Sequence, residues 1–387
     1  MGRKVLLVQP SMQPPGGGNG VAAWMLQALA AEHDVTVLSW RPVDVAPINR
    51  FFGTSLRADQ FKARVVPASW RRWPDRLPVP AALLRSSLLM RYTRRVTDGF
   101  DVIVGVHNET DYGRRGIQYV HYPTYLRPRP EVDLRWYHRF TPLLSAYYAA
   151  ADRLAGFSLE RMKSNLTLAN SNWTAERIRT FLGIDARTLY PPVLATPSDL
   201  PWHERERSFV AMGRVSPEKD YERVMHILAR VRERAPYIRL TLIGTWDEKT
   251  SAYYQQLVAL AASLDPARSW ITMRSDLSRN EVRAVLARVR YGIHGMREEH
   301  FGMAPAEMVR AGMIVWVPNG GGQVEIVGDA PLLRFDSDDE AVDSILHVIN
   351  DPGEQQRLRE HLATQSEHFG IERFTREVRQ IVSAFRE

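Results

Sequence analysis

The feature that most constrains this chain is an alternation that runs, stops and starts again. Short apolar, β-branched runs ("KVLLVQP", "DVTVLSW", "ARVVPA", "DVIVGV", "IQYVHYP", "LTLANS", "TLYPPV") are separated by stretches of helical periodicity such as "VAAWMLQALAAEH" and "TAERIRTFLG". That pattern predicts an α/β fold with parallel sheets. At Tyr190–Trp202, "YPPVLATPSDLPW", four prolines fall in thirteen residues, the composition of a linker. Beyond it the alternation resumes with "SFVAMGRV", "IRLTLIGTW", "SWITMRSD", "YGIHGM", "MIVWVPN" and "PLLRF". We therefore expect two domains, 1–195 and 196–387, with the last helix able to pack back on the first. Ligands of open parallel sheets bind at the carboxyl ends of the strands, so two such edges are expected to face each other across a cleft.

Composition narrows the chemistry. At 387 residues, 44% hydrophobic and 25% charged, the chain reads as a soluble globular protein with room for two cores. It has no Cys, which excludes disulfides, thiolate metal sites and a Cys nucleophile. The apolar run at Val5–Val8 is too short for a signal peptide, and no stretch approaches eighteen uninterrupted apolar residues. The expected location is cytoplasmic. Net charge is +7 but uneven: residues 1–200 hold 26 Lys+Arg against 16 Asp+Glu, and residues 201–387 hold 25 against 28. A basic half suits nucleic acid, anionic lipid or a phosphorylated substrate, although coding bias toward Arg explains it as simply. No nucleic-acid reading motif accompanies the charge, so no nucleic-acid partner is expected.

Three stretches carry residues suited to a phosphorylated ligand. In "GRVSPEK", Arg214 leaves a strand, Pro217 suits a first helical turn, and Lys219 begins the expected helix. Two cations beside free helix N–H groups suit a diphosphate. In "EEHFGMAPAE", Pro305 sets a helix start near Met303; Glu299 then lies in the loop before it and Glu307 in its first turns. In "NGGGQVEIV", three glycines permit positive φ and close backbone approach. "PPGGGNG", Pro14–Gly20, is the matching loop in the first half, without the spacing of a dinucleotide fingerprint. Each also reads as ordinary strand-loop-helix punctuation. Glu299 and Glu307 could equally serve a paired-carboxylate hydrolase, a use that leaves Arg214, Lys219 and the glycines without a role.

Taken in order and spacing, these stretches resemble the retaining nucleotide-sugar glycosyltransferases of family 4, with GT-B fold, that is, two Rossmann-like domains. Glu299 and Glu307 match their Glu-x₇-Glu signature. Within that family the chain is similar to the lipid-linked-oligosaccharide α-1,2-mannosyltransferases, through "YVHYPTYL" (Tyr119–Leu126), "NSNWT" (Asn170–Thr174), "LYPPV" (Leu189–Val193) and "YGIHGMREEHFG" (Tyr291–Gly302). It departs from them at Pro305. The resemblance implies that Arg214 and Lys219 bind the donor diphosphate and stabilise it as a leaving group. It implies that Glu307 holds the donor ribose, and that Glu299 holds the transferred sugar with backbone N–H groups of His300, Phe301, Gly302 and Met303. Gly321 and Gly322 face the phosphates, and Gly17 and Gly18 approach phosphates or acceptor from the first domain. His121 takes the place of an imidazole near the reacting sugar, with His107 as a rival.

Two further segments stay open. "DSDDE", Asp336–Glu340, contains the Asp-x-Asp that holds a divalent metal in some transferases, but also reads as an acid-rich helix N-terminus. We expect the cap, and no metal or other cofactor. "WRRWPDRLPVPAALLRSSLLMRYTRRV", Trp70–Val96, interleaves Trp, Leu and Arg. It reads equally as a core-facing helix with Arg outward or as a helix on an anionic membrane surface, which would make the protein peripheral at the inner face. The expected function is transfer of a hexose, mannose from GDP-mannose, to a glycan, glycolipid or lipid-linked acceptor. A UDP-sugar transferase acting on a small molecule, an epimerase or hydrolase of the same fold, and a catalytically idle GT-B partner protein are the alternatives.

Overall fold

The structure, a computed structural model, describes residues 2–14, 16–76, 82–124, 141–246, 248 and 250–386. The strands are β1 (Lys4–Val8), β2 (Asp34–Ser39), β3 (Lys62–Val65), β4 (Val102–Gly105), β5 (Ile117–Val120), β6 (Leu166–Ala169), β7 (Arg187–Thr188), β8 (Glu206–Arg214), β9 (Leu240–Thr245), β10 (Ile271–Ser275), β11 (Val289–Ile293), β12 (Ile314–Pro318) and β13 (Arg334–Phe335). They form two sheets, ordered β3-β2-β1-β4-β5-β6-β7 and β10-β9-β8-β11-β12-β13. Every pairing is parallel. In both, the order reverses beside the first strand of the set, the doubly wound arrangement with its switch point between β1 and β4 and between β8 and β11.

Near-continuous apolar strands are what a parallel sheet covered on both faces requires. Val5, Leu6 and Leu7 of β1 are fully buried, as are Ile314, Val315, Trp316 and Val317 of β12. The Trp316 indole N–H satisfies itself on Ser344 Oγ at 3.0 Å. Helix ends follow local chemistry: Ser171 caps the Asn172–Leu182 helix, and Gly183 closes it in the left-handed region at φ 65°, as glycine readily does.

The chain forms two compact units, Met1–Pro192 with Ile371–Glu387, and Val193–Gly370. The change of unit falls inside the proline-rich segment. The final helix, Ile371–Ala384, belongs to the first unit, where Arg379 donates from Nε to the carbonyl of Ala28 at 3.0 Å and pairs with Glu32 at 3.1 Å.

Candidate functional site

In the second unit the strand ends at the switch point deliver the charged residues. β8 ends at Arg214 and leads into the turn Pro217–Lys219; β11 ends at Ile293 and leads into the loop that carries Glu299. One expectation is corrected here. Lys219 does not begin a helix: Pro217–Lys219 is a 3-10 turn, and the helix proper runs from Tyr221 to Arg234. The break is Asp220, which takes a left-handed conformation at φ 51° and accepts the Arg223 N–H with its own carboxylate. That helix N-terminus is therefore already capped by an acid, and Lys219 projects from the turn before it.

The turn and the loop can meet because residue 295 is glycine. A Cβ there would overlap the carbonyl oxygens of Lys219 and Asp220. Across this contact the Lys219 ammonium pairs with Glu299 Oε2 and lies 3.5 Å from the Met296 sulfur. The same Oε2 is 3.2 Å from Nε2 of His294. All three side chains are largely enclosed, His294 to 3% exposure. Burial pushes the Glu299 carboxyl up, but the His294 and Lys219 donors outweigh it and hold it well below the usual carboxylate range. For His294 burial dominates and lowers its pKa despite Glu299. A neutral imidazole facing a carboxylate must donate, so Nε2 carries the proton.

The glycine loop fixes Glu299 from the other side. Glu299 and Gly321 form a parallel bridge, and the Gly322 N–H donates to the Glu299 carbonyl at 2.7 Å. Gly321 sits at φ 75°, and a Cβ on it would overlap the Glu299 backbone. The close approach that these glycines permit is thus to the protein's own loop. Gln323, fully buried, ties the two segments further by donating to the carbonyls of Met296 at 2.7 Å and Gly320 at 3.0 Å.

Glu307 lies in the short helix Met303–Arg310, whose first turn holds buried Pro305 and whose cap, Gly302, has φ 105°. No side chain caps that N-terminus, which leaves the first N–H groups of the helix, at Met303 and Ala304, without a side-chain cap. Phe301 is buried against Phe369 at 5.6 Å, which anchors the His300–Gly302 turn. The Glu307 carboxylate accepts no hydrogen bond from the described residues; its nearest cation is Arg279, 3.6 Å away. Burial raises its pKa, and Arg279 only partly opposes this. Such a group lacks the hydrogen bonds that a buried charge needs.

Arg214 is placed differently from Lys219. It is exposed and pairs with Glu218 at 3.0 Å. In the first unit, Gly17 and Gly18 open the Gly17–Ala30 helix, which has no side-chain cap. A Cβ on Gly18 would stand 3.0 Å from Nε2 of His121, so His121 and this helix start share one surface. His121 Nε2 is 3.1 Å from the Val106 carbonyl, and its backbone N–H donates to Asn108 Oδ1 at 2.8 Å. His107 lies two residues beyond the end of β4.

"DSDDE" folds as a cap. Ser337 and Glu340 form a capping box on the Asp338–Asn350 helix, while Asp338 pairs with Arg223 at 2.5 Å and Asp339 with Arg230 at 2.6 Å. In Trp70–Val96, Leu77–Ala81 lie outside the described residues, as do Tyr125 and Leu126 of the Tyr119–Leu126 stretch. The Ala82–Thr93 helix buries Leu89 in the core with Leu6, Val8 and Ile103. Arg85 and Arg91 of this helix and Arg94 just after it donate to backbone carbonyls: Arg91 to that of Leu154 at 2.9 Å, Arg94 to that of Ala155 at 3.3 Å, and Arg85 to that of Pro74 at 3.1 Å. Arg95 lies over the Trp70 ring at 4.7 Å, and Trp73 is 65% exposed.

Residues 195–369, the segment that contains Lys219, His294, Glu299 and Glu307, match the family described as Glycosyl transferases group 1. The segment is a group 1 glycosyl transferase domain. Among curated relatives of this glycosyl transferase domain's chain, the GDP-Man:Man(3)GlcNAc(2)-PP-Dol alpha-1,2-mannosyltransferase of Homo sapiens is 26% identical over 230 residues, 54% of this chain and 46% of the relative. Its namesake in Candida glabrata is 28% identical over 161 residues, 39% of this chain and 32% of the relative. The matched region thus spans about half the length, or less, of these relatives. Among solved structures, HepE of Anabaena, in complex with UDP and glucose, superposes with TM-score 0.70 at 15% identity, over 99% of this chain and 100% of its own. WaaG, a glycosyltransferase involved in lipopolysaccharide biosynthesis, gives 0.69 at 16% identity, over 98% and 100%. These likenesses establish the GT-B fold, with its two parallel sheets.

His294 and Gln323 are the site residues that motif reading passed over. Both occur in quoted stretches, and the one available signal was His294's place immediately after a strand of a parallel sheet.

Proposed function

We propose that this chain is a retaining, metal-independent glycosyltransferase that moves mannose from GDP-mannose to a hydroxyl of a glycan, glycolipid or lipid-linked acceptor. The observation that carries the proposal is the pair of largely enclosed carboxylates eight residues apart with opposite needs. Glu299 is ionised and fixed by two donors on one oxygen, and Glu307 accepts no hydrogen bond from the described residues, with Arg279 3.6 Å away. A sugar nucleotide meets both needs: hydroxyls of the sugar donate to Glu299 Oε1, and ribose hydroxyls donate to Glu307. The names of the curated relatives support GDP-mannose as donor.

Cleavage of the sugar–phosphate bond leaves its electron pair on the diphosphate. Lys219 and the uncapped N–H groups at Met303 and Ala304 stabilise that charge from fixed positions, the largest kind of contribution a preorganised site makes. Arg214, released from Glu218, adds a second cation. The acceptor oxygen bonds to the anomeric carbon on the face that the diphosphate leaves, and its proton passes to a diphosphate oxygen. No side chain acts as nucleophile, and no metal or other cofactor is called on. In the first unit, His121 and the start of the Gly17–Ala30 helix offer polar groups for an acceptor.

The proposal is tested by incubating the protein with GDP-mannose, UDP-glucose or UDP-GlcNAc, with and without EDTA, and following the released sugar by proton NMR. The expected result is slow release from GDP-mannose, with the α anomer formed first and no effect of EDTA. The β anomer formed first would refute retention, and loss of turnover in EDTA would refute metal independence. Preference for a UDP-sugar would transfer the reading to that donor class, and no turnover of any donor would favour an idle partner protein.

We assign peripheral binding to an anionic membrane to the exposed part of the Trp70–Val96 region, with Trp73, Arg72 and Arg76 at its surface. Trp73→Ala combined with Arg72→Glu and Arg76→Glu is expected to weaken sedimentation with phosphatidylserine vesicles at least about tenfold at low salt, as each juxtamembrane cation contributes roughly 1 kcal/mol. Equal sedimentation of wild type and variant, or none by the wild type, would end this assignment.

A further inference from the structure

His294 is placed with unusual care for a residue only 3% exposed. Its backbone N–H donates to the Trp316 carbonyl at 2.9 Å, which extends the pairing of β11 with β12 by one residue and fixes the ring at the strand end. Gly295 then turns the chain against the Lys219–Asp220 backbone. The ring reaches Glu299 Oε2, the same oxygen that Lys219 holds. Oε1 of Glu299 has no hydrogen bond from the described residues. Tyr221 is a further titratable neighbour: its buried hydroxyl has no hydrogen-bond partner among the described residues, and burial followed by the Glu299 charge raises its pKa.

Two donors on one carboxylate oxygen are redundant only while Lys219 stays. The diphosphate of a bound donor competes for the ammonium, and an enclosed carboxylate abandoned by its cation loses much of its stabilisation. We infer that His294 is a positioning residue: its Nε2–H holds Glu299 Oε2 throughout, so that Oε1 faces the sugar hydroxyls when Lys219 turns to the phosphates. This rests on the donor-binding reading above.

The test separates the sugar from the nucleotide. His294→Leu keeps bulk and removes the donor; His294→Gln restores an N–H at a similar reach. For His294→Leu, kcat/KM with GDP-mannose is expected to fall about 10–100-fold, the range for a lost hydrogen bond to a charged group. Affinity for GDP, which has no sugar, is expected to stay within about twofold, and His294→Gln should recover most of the loss. In a Glu299→Gln background, His294→Leu should add almost nothing, because the two act as one unit. Losses that simply multiply, or equal losses toward GDP and GDP-mannose, would overturn the inference. In the unliganded wild type, long-range ¹⁵N–¹H spectra at neutral pH should show the Nε2–H tautomer, and an Nδ1–H tautomer would also overturn it. If the wild type binds GDP and turns over GDP-mannose while His294→Leu matches it, only this inference fails. If the wild type binds neither ligand, the donor-binding reading falls and takes the inference with it.

Discussion

Lys219→Ala is expected to lower kcat/KM for sugar-nucleotide turnover about 10²–10³-fold, the loss found when one preorganised donor to a developing anion is removed. Two effects combine. The departing diphosphate loses its enclosed cation, and the Glu299 carboxylate keeps only neutral His294 as a hydrogen-bond donor among the described residues. Arg214 does not replace the lost charge, since it is exposed and solvent screens it far more than enclosed Lys219. Lys219→Arg should recover little: the lysine sits on a tight 3-10 turn and contacts Met296 as well as Glu299, and a planar guanidinium presents its donors differently from a compact ammonium. Steady-state release of GDP from GDP-mannose measures the effect. Activity within threefold of wild type would remove Lys219 from the site.

Glu307→Gln should separate function from stability. In the folded protein burial raises the Glu307 pKa, so its ionised form costs stability at pH values above that raised pKa, and the cost disappears as pH falls through it. A neutral amide of the same shape avoids the cost. The variant is expected to melt roughly 2–4 °C higher at pH 7, the shift that about 1 kcal/mol gives a unit of this size. Donor affinity should move the other way, falling about tenfold or more as one of the two oxygens that accept from the ribose hydroxyls is replaced by an N–H donor. Wild-type donor affinity should itself weaken as pH drops toward the Glu307 pKa, because only the carboxylate accepts both hydroxyls. Calorimetric melting and donor titration across pH check both signs. A variant that melts lower and binds equally well would assign Glu307 to the fold alone.

The architecture was legible because its signals are local and repeated. Alternating strands and helices with a proline-rich interruption imply parallel sheets, and Gly183 announced the end of its helix. The capping box at Ser337 and Glu340 could be read from an acid-rich run before a helical pattern. What escaped depends on single backbone angles and on contacts across the sequence. Asp220 gives no hint in the sequence that it will adopt positive φ, and this alone moves Lys219 from a helix into a turn. The Gly320–Gly322 run reads as a ligand loop because glycine signals close approach without naming what approaches; here it is the backbone of Glu299. His294 was invisible for a similar reason. A histidine after a strand acquires meaning only when Gly295 allows the turn that brings Lys219 and Glu299 to it. The interleaved arginines of Trp70–Val96 suggested an outward cationic face, yet Arg85, Arg91 and Arg94 largely bond to backbone carbonyls of their own unit.

The central claim is that the second unit holds a sugar nucleotide by its two largely enclosed carboxylates, Glu299 and Glu307, and by Lys219. Titration calorimetry of wild-type protein with GDP-mannose and with GDP tests it most directly. The account predicts saturable binding of both, tighter for GDP-mannose, with the preference for the sugar lost in Glu299→Gln and affinity for both ligands reduced in Glu307→Gln. No binding of GDP-mannose or any UDP-sugar by folded wild-type protein, or identical isotherms for all three proteins, would contradict it.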